Sequence, residues 1–223
     1  MITFEAIRAR AAIRHGGDDA LAKLLVRPKS TRVIKEIPDH RWLSGLTKCV
    51  FQAGFNWQLI EDKWDRFEQV FESFDVPRWV MMFDDDTDRL LLTDGIVKNY
   101  AKIRAVGANA AYLQELIDQH GSVGAYFSSW TLSEYCTNLQ DMQKRSSRLC
   151  GKTGQVFLRR MGVDTLVFTE DVIKALSREK ILSRRMPSSK RDLVAVQKAI
   201  DIWHEQSGYG LNAISQILAL SVE

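Results

Sequence analysis

The chain has 223 residues, 45% of them hydrophobic, which is enough to bury a sizeable core. Its net charge of +3 and pI of about 8.7 permit nucleic-acid binding without requiring it. Three scattered cysteines exclude a disulfide framework, and no apolar run reaches the roughly 18 residues of a membrane span. The N-terminus, interrupted by acidic residues and arginines, is not typical of a signal peptide. We therefore expect a cytoplasmic protein that makes no membrane contact.

Apolar residues repeat at three- and four-residue spacing in four segments: after Pro38, from Asn99 to Gln119, after Ser188 and Ser189, and from Leu211. The two serines are candidate N-caps for the long late helix. Residues 165–169 are the only short stretch that resembles a strand. The sequence predicts an all-α fold of about ten helices joined by short loops.

A glycine-containing turn at residues 146–154 separates two short helical segments, and the second runs to Met161. Unpaired amides and the helix dipole at the start of that second segment favour an anion, and a glycine allows close approach. Basic side chains around the turn add attraction to a phosphodiester. An ordinary helix-turn-helix corner with solvated lysines is the alternative. The predicted DNA contacts in this hairpin are Lys144, Arg148, Gly151, Lys152, Thr153 and Gly154.

Two further charged features have simpler interpretations. The run Asp84-Asp85-Asp86 caps and solvates the helix that follows it, since no Gly and Glu follow at calcium-loop spacing. A basic stretch near Pro187 either contacts a DNA backbone or forms a solvated loop; it contains Arg178, Lys180, Arg184, Arg185, Lys190 and Arg191.

Several motifs occur in an order that resembles the DNA-3-methyladenine glycosylase I family. Residues 51–57 (FQAGFNW) are similar to its QAG-x-x-W core, and residues 71–76 (FESFDV) to its F-x-x-F-D-P segment. Residues 94–110 resemble its G-I-I…K-I…N-A signature, and the hairpin follows. The resemblance spans roughly Asp39 to Val172.

This resemblance implies a helix-hairpin-helix glycosylase fold with two helical lobes and DNA at the mouth of the cleft between them. We predict one lobe from residues 1–38 and 188–223 with part of 39–75, and a hairpin lobe from about 76–187. It also implies that Lys98 and Lys102 belong to a DNA-facing loop.

The chain departs from the family in its polar residues. The family holds a structural zinc with cysteines and histidines, whereas here His15 and His204 have no cysteine nearby in sequence. Two histidines do not close a zinc site, so we predict no metal and no cofactor. The family's acidic base-reading residue lies eight positions before the tryptophan, where this chain has Cys49. The contact that reads a cationic alkylated adenine is therefore missing.

Aromatic residues around Gln52 predict a base pocket, because a glycosylase holds its flipped nucleotide between aromatic faces. Trp57 occupies the stacking position that the resemblance implies. Phe51 and Phe55 either line this pocket or belong to the core. Gln52 either reads the base edge or packs a helix turn, and Cys49 lines the pocket as a small apolar group.

Two acidic residues, Glu170 and Asp171, follow the hairpin glycine by about twenty residues. In the wider superfamily an essential aspartate follows the hairpin glycine by about twenty residues, which from Gly151 falls on Asp171. Glu170 is the second candidate, and a helix-start role for both acids is the simpler interpretation. The lysine nucleophile of bifunctional members is replaced here by Thr153, which predicts hydrolysis without β-elimination.

The sequence thus predicts a monomeric, monofunctional glycosylase that removes an alkylated or otherwise modified base, 3-methyladenine-like, from DNA. The alternative is a DNA-binding protein that keeps the scaffold and has lost base excision, which Cys49 favours and Asp171 opposes. A third interpretation, a helical protein–protein adaptor, requires that the hairpin does not bind DNA.

Overall fold

The computed structural model describes residues 3–183 and 185–223, and all regular structure within them is helical, which confirms the predicted all-α fold. Short 3-10 turns lie at Glu72–Phe74 and Leu132–Glu134. The α-helices of the described residues outnumber the prediction and are α1 (Phe4–Arg14), α2 (Asp18–Leu24), α3 (Thr31–Lys35), α4 (Asp39–Gln52), α5 (Trp57–Asp62), α6 (Trp64–Val70), α7 (Val76–Val80), α8 (Asp84–Leu92), α9 (Tyr100–His120), α10 (Val123–Ser128), α11 (Tyr135–Arg145), α12 (Thr153–Met161), α13 (Glu170–Arg178), α14 (Lys190–Ser207) and α15 (Leu211–Leu220).

The chain divides into two compact units. The hairpin unit comprises Ser30–Ser129 and Asp141–Met161, and the terminal unit comprises the described residues before Ser30, Trp130–Gln140 and those from Gly162 onwards. These boundaries differ from the predicted lobes. Residues 39–75 fall wholly in the hairpin unit, and the described residues of 162–187 fall in the terminal unit rather than with the hairpin.

Aromatic side chains form the core of the hairpin unit. Trp42 of α4 stacks on Phe127, with ring centroids 5.0 Å apart, and meets Phe157 of α12 edge-on at 5.9 Å. Helices α4 and α12 approach closely at Gly45, where an added Cβ would lie 2.8 Å from the sulfur of Met161. A side chain at position 45 would therefore push apart the two helices that carry the candidate site.

A left-handed turn completes a second aromatic cluster in the hairpin unit. Glu72, Ser73 and Phe74 all have positive φ angles, between 52° and 59°, which non-glycine residues rarely adopt. The turn directs Phe74 into the core, where its ring stacks on Phe71 at 5.2 Å and on Trp64 at 5.5 Å. Burial of this ring offsets the strain of the backbone.

The terminal unit is built around its last helices. Helix α14 begins at the predicted cap, because the Ser189 hydroxyl accepts a bond from the Asp192 amide at 3.0 Å. Residues 165–169, which resemble a strand in sequence, do not form one. Two of their backbone groups bond to side chains instead: the Val167 amide donates to the Ser215 hydroxyl at 3.1 Å, and Tyr135 donates to the Leu166 carbonyl at 2.6 Å.

Candidate base pocket and nucleic-acid interface

The predicted hairpin is present: α11 ends at Arg145 and α12 begins at Thr153. Gly154 allows its two arms to pack, because an added Cβ would lie 2.6 Å from the Met142 methyl and 2.8 Å from the Leu149 carbonyl oxygen. Gly151 adopts a left-handed φ of 60° at the tip, which glycine tolerates without steric cost. Gly154 is thus required by the packing of the two arms, and Gly151 keeps the left-handed tip free of strain.

The tip of the hairpin is suited to a phosphate. Within the described part of the chain, the amides of Gly151 and Lys152 have no hydrogen-bond acceptor. The side chains of Lys144, Arg148 and Lys152 are exposed around them. Unpaired amides at a helix N-terminus together with nearby cations are the usual components of an anion site.

A cavity of about 220 Å³ lies between the end of α4, the start of α5 and one face of α12. Helix α12 contributes residues spaced three and four apart, which places them on one face. The lining residues are Cys49, Gln52, Ala53, Gly54, Trp57, Lys152, Thr153, Val156 and Arg160. The structure therefore brings Cys49, Gln52 and Trp57, predicted for the base, together with Lys152 and Thr153, predicted for the phosphate.

A chain of polar contacts runs along the wall of this cavity. Lys48 pairs with Glu61 at 2.5 Å, and Glu61 accepts a bond from the Gln52 amide nitrogen at 2.9 Å. The Gln52 carbonyl oxygen accepts from Arg160, whose guanidinium carbon lies 4.5 Å from the centroid of the Trp57 ring. Hydrogen bonding to Lys48 is the main reason that the pKa of Glu61 is lowered. The negative charge of Glu61 is thus already compensated within the wall.

Among the described residues of the cavity lining, Arg160 is the one charged residue that was not predicted from the sequence. It lies seven residues after Thr153 and four after Val156, so helical periodicity along α12 was the signal that could have found it.

Cys49 lines the cavity, and the residue is 4% exposed. Burial is the largest cause that raises the pKa of this thiol, against the opposing field of Arg160. Arg160 Nη1 lies 3.7 Å from the sulfur. Position 49 therefore presents a neutral group to the cavity.

Two aromatic residues predicted for the pocket lie outside it. Phe51 is fully buried and packs edge-on against Phe67 at 4.8 Å, so it is a core residue. Phe55 is 39% exposed and does not line the cavity; its ring lies 4.2 Å from the ammonium of Lys102. Helical spacing along α4 turns the Phe51 ring away from the face that Cys49 and Gln52 share, whereas Phe55 lies in the turn between α4 and α5.

Lys102, predicted to contact DNA, instead has a structural position. Its ammonium donates to the carbonyls of Phe51 at 2.9 Å and Ala53 at 2.7 Å, at the C-terminal end of α4. Burial lowers the pKa of this lysine. Lys98 remains exposed and pairs with Asp94 at 3.0 Å, and its contact with DNA stays a prediction.

Replacing Lys102 is expected to destabilise the fold. Lys102→Met leaves two helix-end carbonyls without a donor, at a cost of about 1–3 kcal/mol in the free energy of unfolding. Lys98→Met is the matched control, because it removes the same charge from an exposed pair and should cost less than about 1 kcal/mol. Urea unfolding of both variants checks the difference, and equal midpoints would contradict the assigned role.

Asp171 lies in the terminal unit, in the first turn of α13, where Thr169 caps the helix by accepting a bond from the Val172 amide at 3.2 Å. Its carboxylate is 49% exposed and pairs with Lys174 at 3.2 Å. Glu170 begins the same helix. The catalytic role of Asp171 stays a prediction.

The histidines do not fit the zinc site of the related family. His15 Nε2 lies 3.2 Å from the Leu220 carbonyl, and His204 Nδ1 lies 2.9 Å from the Tyr209 carbonyl. Over residues 3–183 and 185–223, no three His, Cys, Asp or Glu side chains are grouped to hold a metal ion. The described helices also include none that is both long and apolar enough to span a membrane.

The acidic run has the predicted capping role. Asp86 accepts a bond from the Phe83 amide at 3.2 Å at the start of α8 and pairs with Arg78, which lowers its pKa to about 2. In the basic stretch near Pro187, Arg184 lies outside the described residues, and contact of the stretch with DNA stays a prediction.

Comparison with known proteins identifies related sequences. Residues 35–155 match the family model of methyladenine glycosylases, which is more than half of the chain. The sequence is 35% identical to DNA-3-methyladenine glycosylase 1 of Escherichia coli (strain K12) over 71 residues. That match covers 31% of this chain and 37% of the relative, so it spans little more than a third of the relative's length.

Comparison with solved structures establishes the fold. The 3-methyladenine DNA glycosylase I of Staphylococcus aureus aligns with a TM-score of 0.50 and 18% identity, covering 70% of this chain and 92% of that one. The 8-oxoguanine DNA glycosylase of Methanocaldococcus jannaschii aligns with a TM-score of 0.54 and 13% identity, covering 95% and 89%. The fold is therefore of the helix-hairpin-helix DNA glycosylase type.

Proposed function

Because this chain belongs to the methyladenine glycosylase family, we propose that it is a monofunctional DNA glycosylase of base-excision repair. It hydrolyses the bond between deoxyribose and an alkylated or otherwise modified base, and it acts as a cytoplasmic monomer. The substrates of the relatives, 3-methyladenine and 8-oxoguanine, both belong to this broad class of modified bases.

The observation that carries the proposal is the continuity of the cavity with the hairpin. Lys152 and Thr153 belong to the turn that presents free amides, and they also line the cavity that contains Trp57. A nucleotide rotated out of the duplex needs its base held in a pocket while its backbone is held nearby. One short segment of this chain supplies parts of both contacts.

Asp171 is assigned the chemical role. As the bond between C1′ and the base nitrogen breaks, the base takes the electron pair and the sugar develops positive charge. The carboxylate stabilises that charge and orients a water, whose oxygen bonds to C1′ while its proton passes to the carboxylate and then to solvent. Thr153 stands where bifunctional members carry their nucleophilic lysine, and Lys152 is assigned to a phosphate, so no Schiff base forms and the strand stays intact.

The test is base release from duplex oligonucleotides that each carry one modified base. We expect free base and an abasic site, with strand cleavage only after alkali treatment. Cleavage without alkali would contradict the monofunctional mechanism, and failure to release any modified base would contradict the enzymatic function.

A second candidate, a DNA-binding protein without excision activity, is favoured by the neutral thiol of Cys49 at the family's acidic position. Retained binding to modified DNA with no release of base would establish it. Absence of DNA binding would favour the adaptor interpretation instead.

Lys152→Met is expected to weaken binding to modified and unmodified DNA alike. Loss of one phosphate contact reduces the slope of log affinity against log salt by about 0.9. Fluorescence anisotropy over a range of salt concentrations measures this slope. Lys35→Met removes the same charge from an exposed side chain of α3 and should leave the slope unchanged, whereas equal effects of the two variants would contradict a local contact.

A further inference from the structure

Arg160 places a cation against the aromatic face of the cavity. Its guanidinium carbon lies 4.5 Å from the centroid of the Trp57 ring, and Nη1 also donates to the carbonyl oxygen of Gln52. Both partners are pocket residues, and Gln52 is 1% exposed. Arg160 is therefore held within the pocket on two sides by the groups expected to meet a base.

No acid in the described chain neutralises this guanidinium by an ion pair. The nearest carboxylate in the contact chain, Glu61, is already paired with Lys48 and bonded to Gln52. Position 49 contributes a neutral thiol, and Lys152 adds a second positive charge to the lining. The lining of the cavity is consequently positive.

A positive lining disfavours a base that is itself a cation. An electron-rich indole normally attracts a cationic base, but here the guanidinium of Arg160 already lies against one face of the Trp57 ring and places a positive charge beside any base stacked on it. If the guanidinium and a cationic base lie about 4 Å apart, their repulsion in partly screened surroundings lowers the affinity for that base on the order of tenfold.

The same guanidinium favours a base that accepts hydrogen bonds. The amide nitrogen of Gln52 donates to Glu61, and its carbonyl oxygen accepts from Arg160. Both polar groups of Gln52 are therefore already engaged, and Arg160 is the better placed donor for a base. Arginine carries five donors in a plane, which match two adjacent acceptors such as a carbonyl and a ring nitrogen on one purine edge.

We propose that Arg160 makes this pocket selective for neutral modified bases that present adjacent carbonyl and ring-nitrogen acceptors, and excludes cationic alkylated bases. This inference rests on the proposed function and names its substrate class. It makes Arg160 a specificity-determining residue on α12.

The experiment compares duplexes that contain hypoxanthine, which is neutral and offers both acceptors, with duplexes that contain 7-methylguanine, which is cationic and has one ring nitrogen blocked. Affinity relative to unmodified duplex is measured by fluorescence anisotropy, and base release by single-turnover kinetics. Each variant is compared with wild type on the same substrate, which cancels the intrinsic lability of the cationic base.

We expect wild type to prefer the hypoxanthine duplex. Arg160→Met should lower affinity for hypoxanthine roughly 5- to 150-fold, the range for one bidentate contact to a base, and should not weaken 7-methylguanine binding. Arg160→Lys keeps the charge and loses the planar donors, so it should still reject 7-methylguanine while binding hypoxanthine poorly. Arg32→Met, which replaces an exposed arginine of α3, is the control for loss of charge alone.

Preference of wild type for 7-methylguanine, or an equal loss on both substrates in Arg160→Met, would overturn the inference. The affinity ratios decide this even where no base is released by any variant. In that case the enzymatic proposal fails, while a preference that depends on Arg160 still supports the assigned specificity.

Discussion

Asp171→Asn is expected to lower the single-turnover rate of base release by on the order of 10²- to 10³-fold, the usual cost of removing one group that stabilises charge in a transition state. Asparagine keeps the shape of the side chain but cannot compensate the positive charge on the sugar. The fold should be unaffected, because the Asp171–Lys174 pair is half exposed and such pairs contribute at most about 1 kcal/mol to stability. DNA affinity should change less than about threefold, since phosphate contacts dominate it.

Glu170→Gln is the matched control for this variant. Glu170 precedes Asp171 in the first turn of α13, so the two substitutions remove equal charge from the same helix end. Base release should fall only in Asp171→Asn. A large loss in Glu170→Gln alone would transfer the role to the neighbouring acid, and equal small effects would mean that both acids only stabilise the helix start.

Long helices and the hairpin were predictable because their signals are local. Helix α9 begins one residue after Asn99, whose side chain accepts a bond from the Lys102 amide at 3.0 Å, as an N-cap residue should. Its apolar stripe repeats over 21 residues, which is long enough to distinguish a helix from a strand. The hairpin glycines could be located from sequence for the same reason, since the tight turn itself demands them.

Short elements could not be resolved from the sequence. Helices α5, α6 and α7 contain five to seven residues each, fewer than two full turns, so no periodicity builds up within them. The left-handed turn at Glu72–Phe74 has no glycine to indicate it. The strand-like residues 165–169 have the apolar composition of a strand, but the Leu166 carbonyl and the Val167 amide bond to side chains of distant segments.

Tertiary burial decided which of the candidate site residues meet in the cavity. Cys49 and Gln52 line the cavity, whereas Phe51, which lies between them in the sequence, is buried in the core. Lys102 could not be distinguished from a surface cation until the end of α4 was seen to lie against it. Arg160 was missed because a basic residue late in a helix is read as solvated when its neighbours in space are unknown.

Trp57→Ala is expected to lower both base release and the preference for modified over unmodified DNA by about 5- to 150-fold, the range for loss of one base–aromatic stacking contact. The indole is 52% exposed, so its removal should change the free energy of unfolding little. Trp57→Phe keeps a smaller π-face and should retain part of the activity.

Phe55→Ala controls for the loss of an exposed ring next to the cavity, because Phe55 is 39% exposed and contributes nothing to the lining.

The Trp57 ring also contacts the guanidinium of Arg160, at 4.5 Å from centroid to carbon, so Trp57→Ala and Arg160→Met remove the same contact. Their effects on hypoxanthine binding should therefore be less than additive in the double variant. Full additivity would show that the indole and the guanidinium act on the base independently. If Phe55→Ala had as large an effect as Trp57→Ala, the base would not be stacked specifically on Trp57.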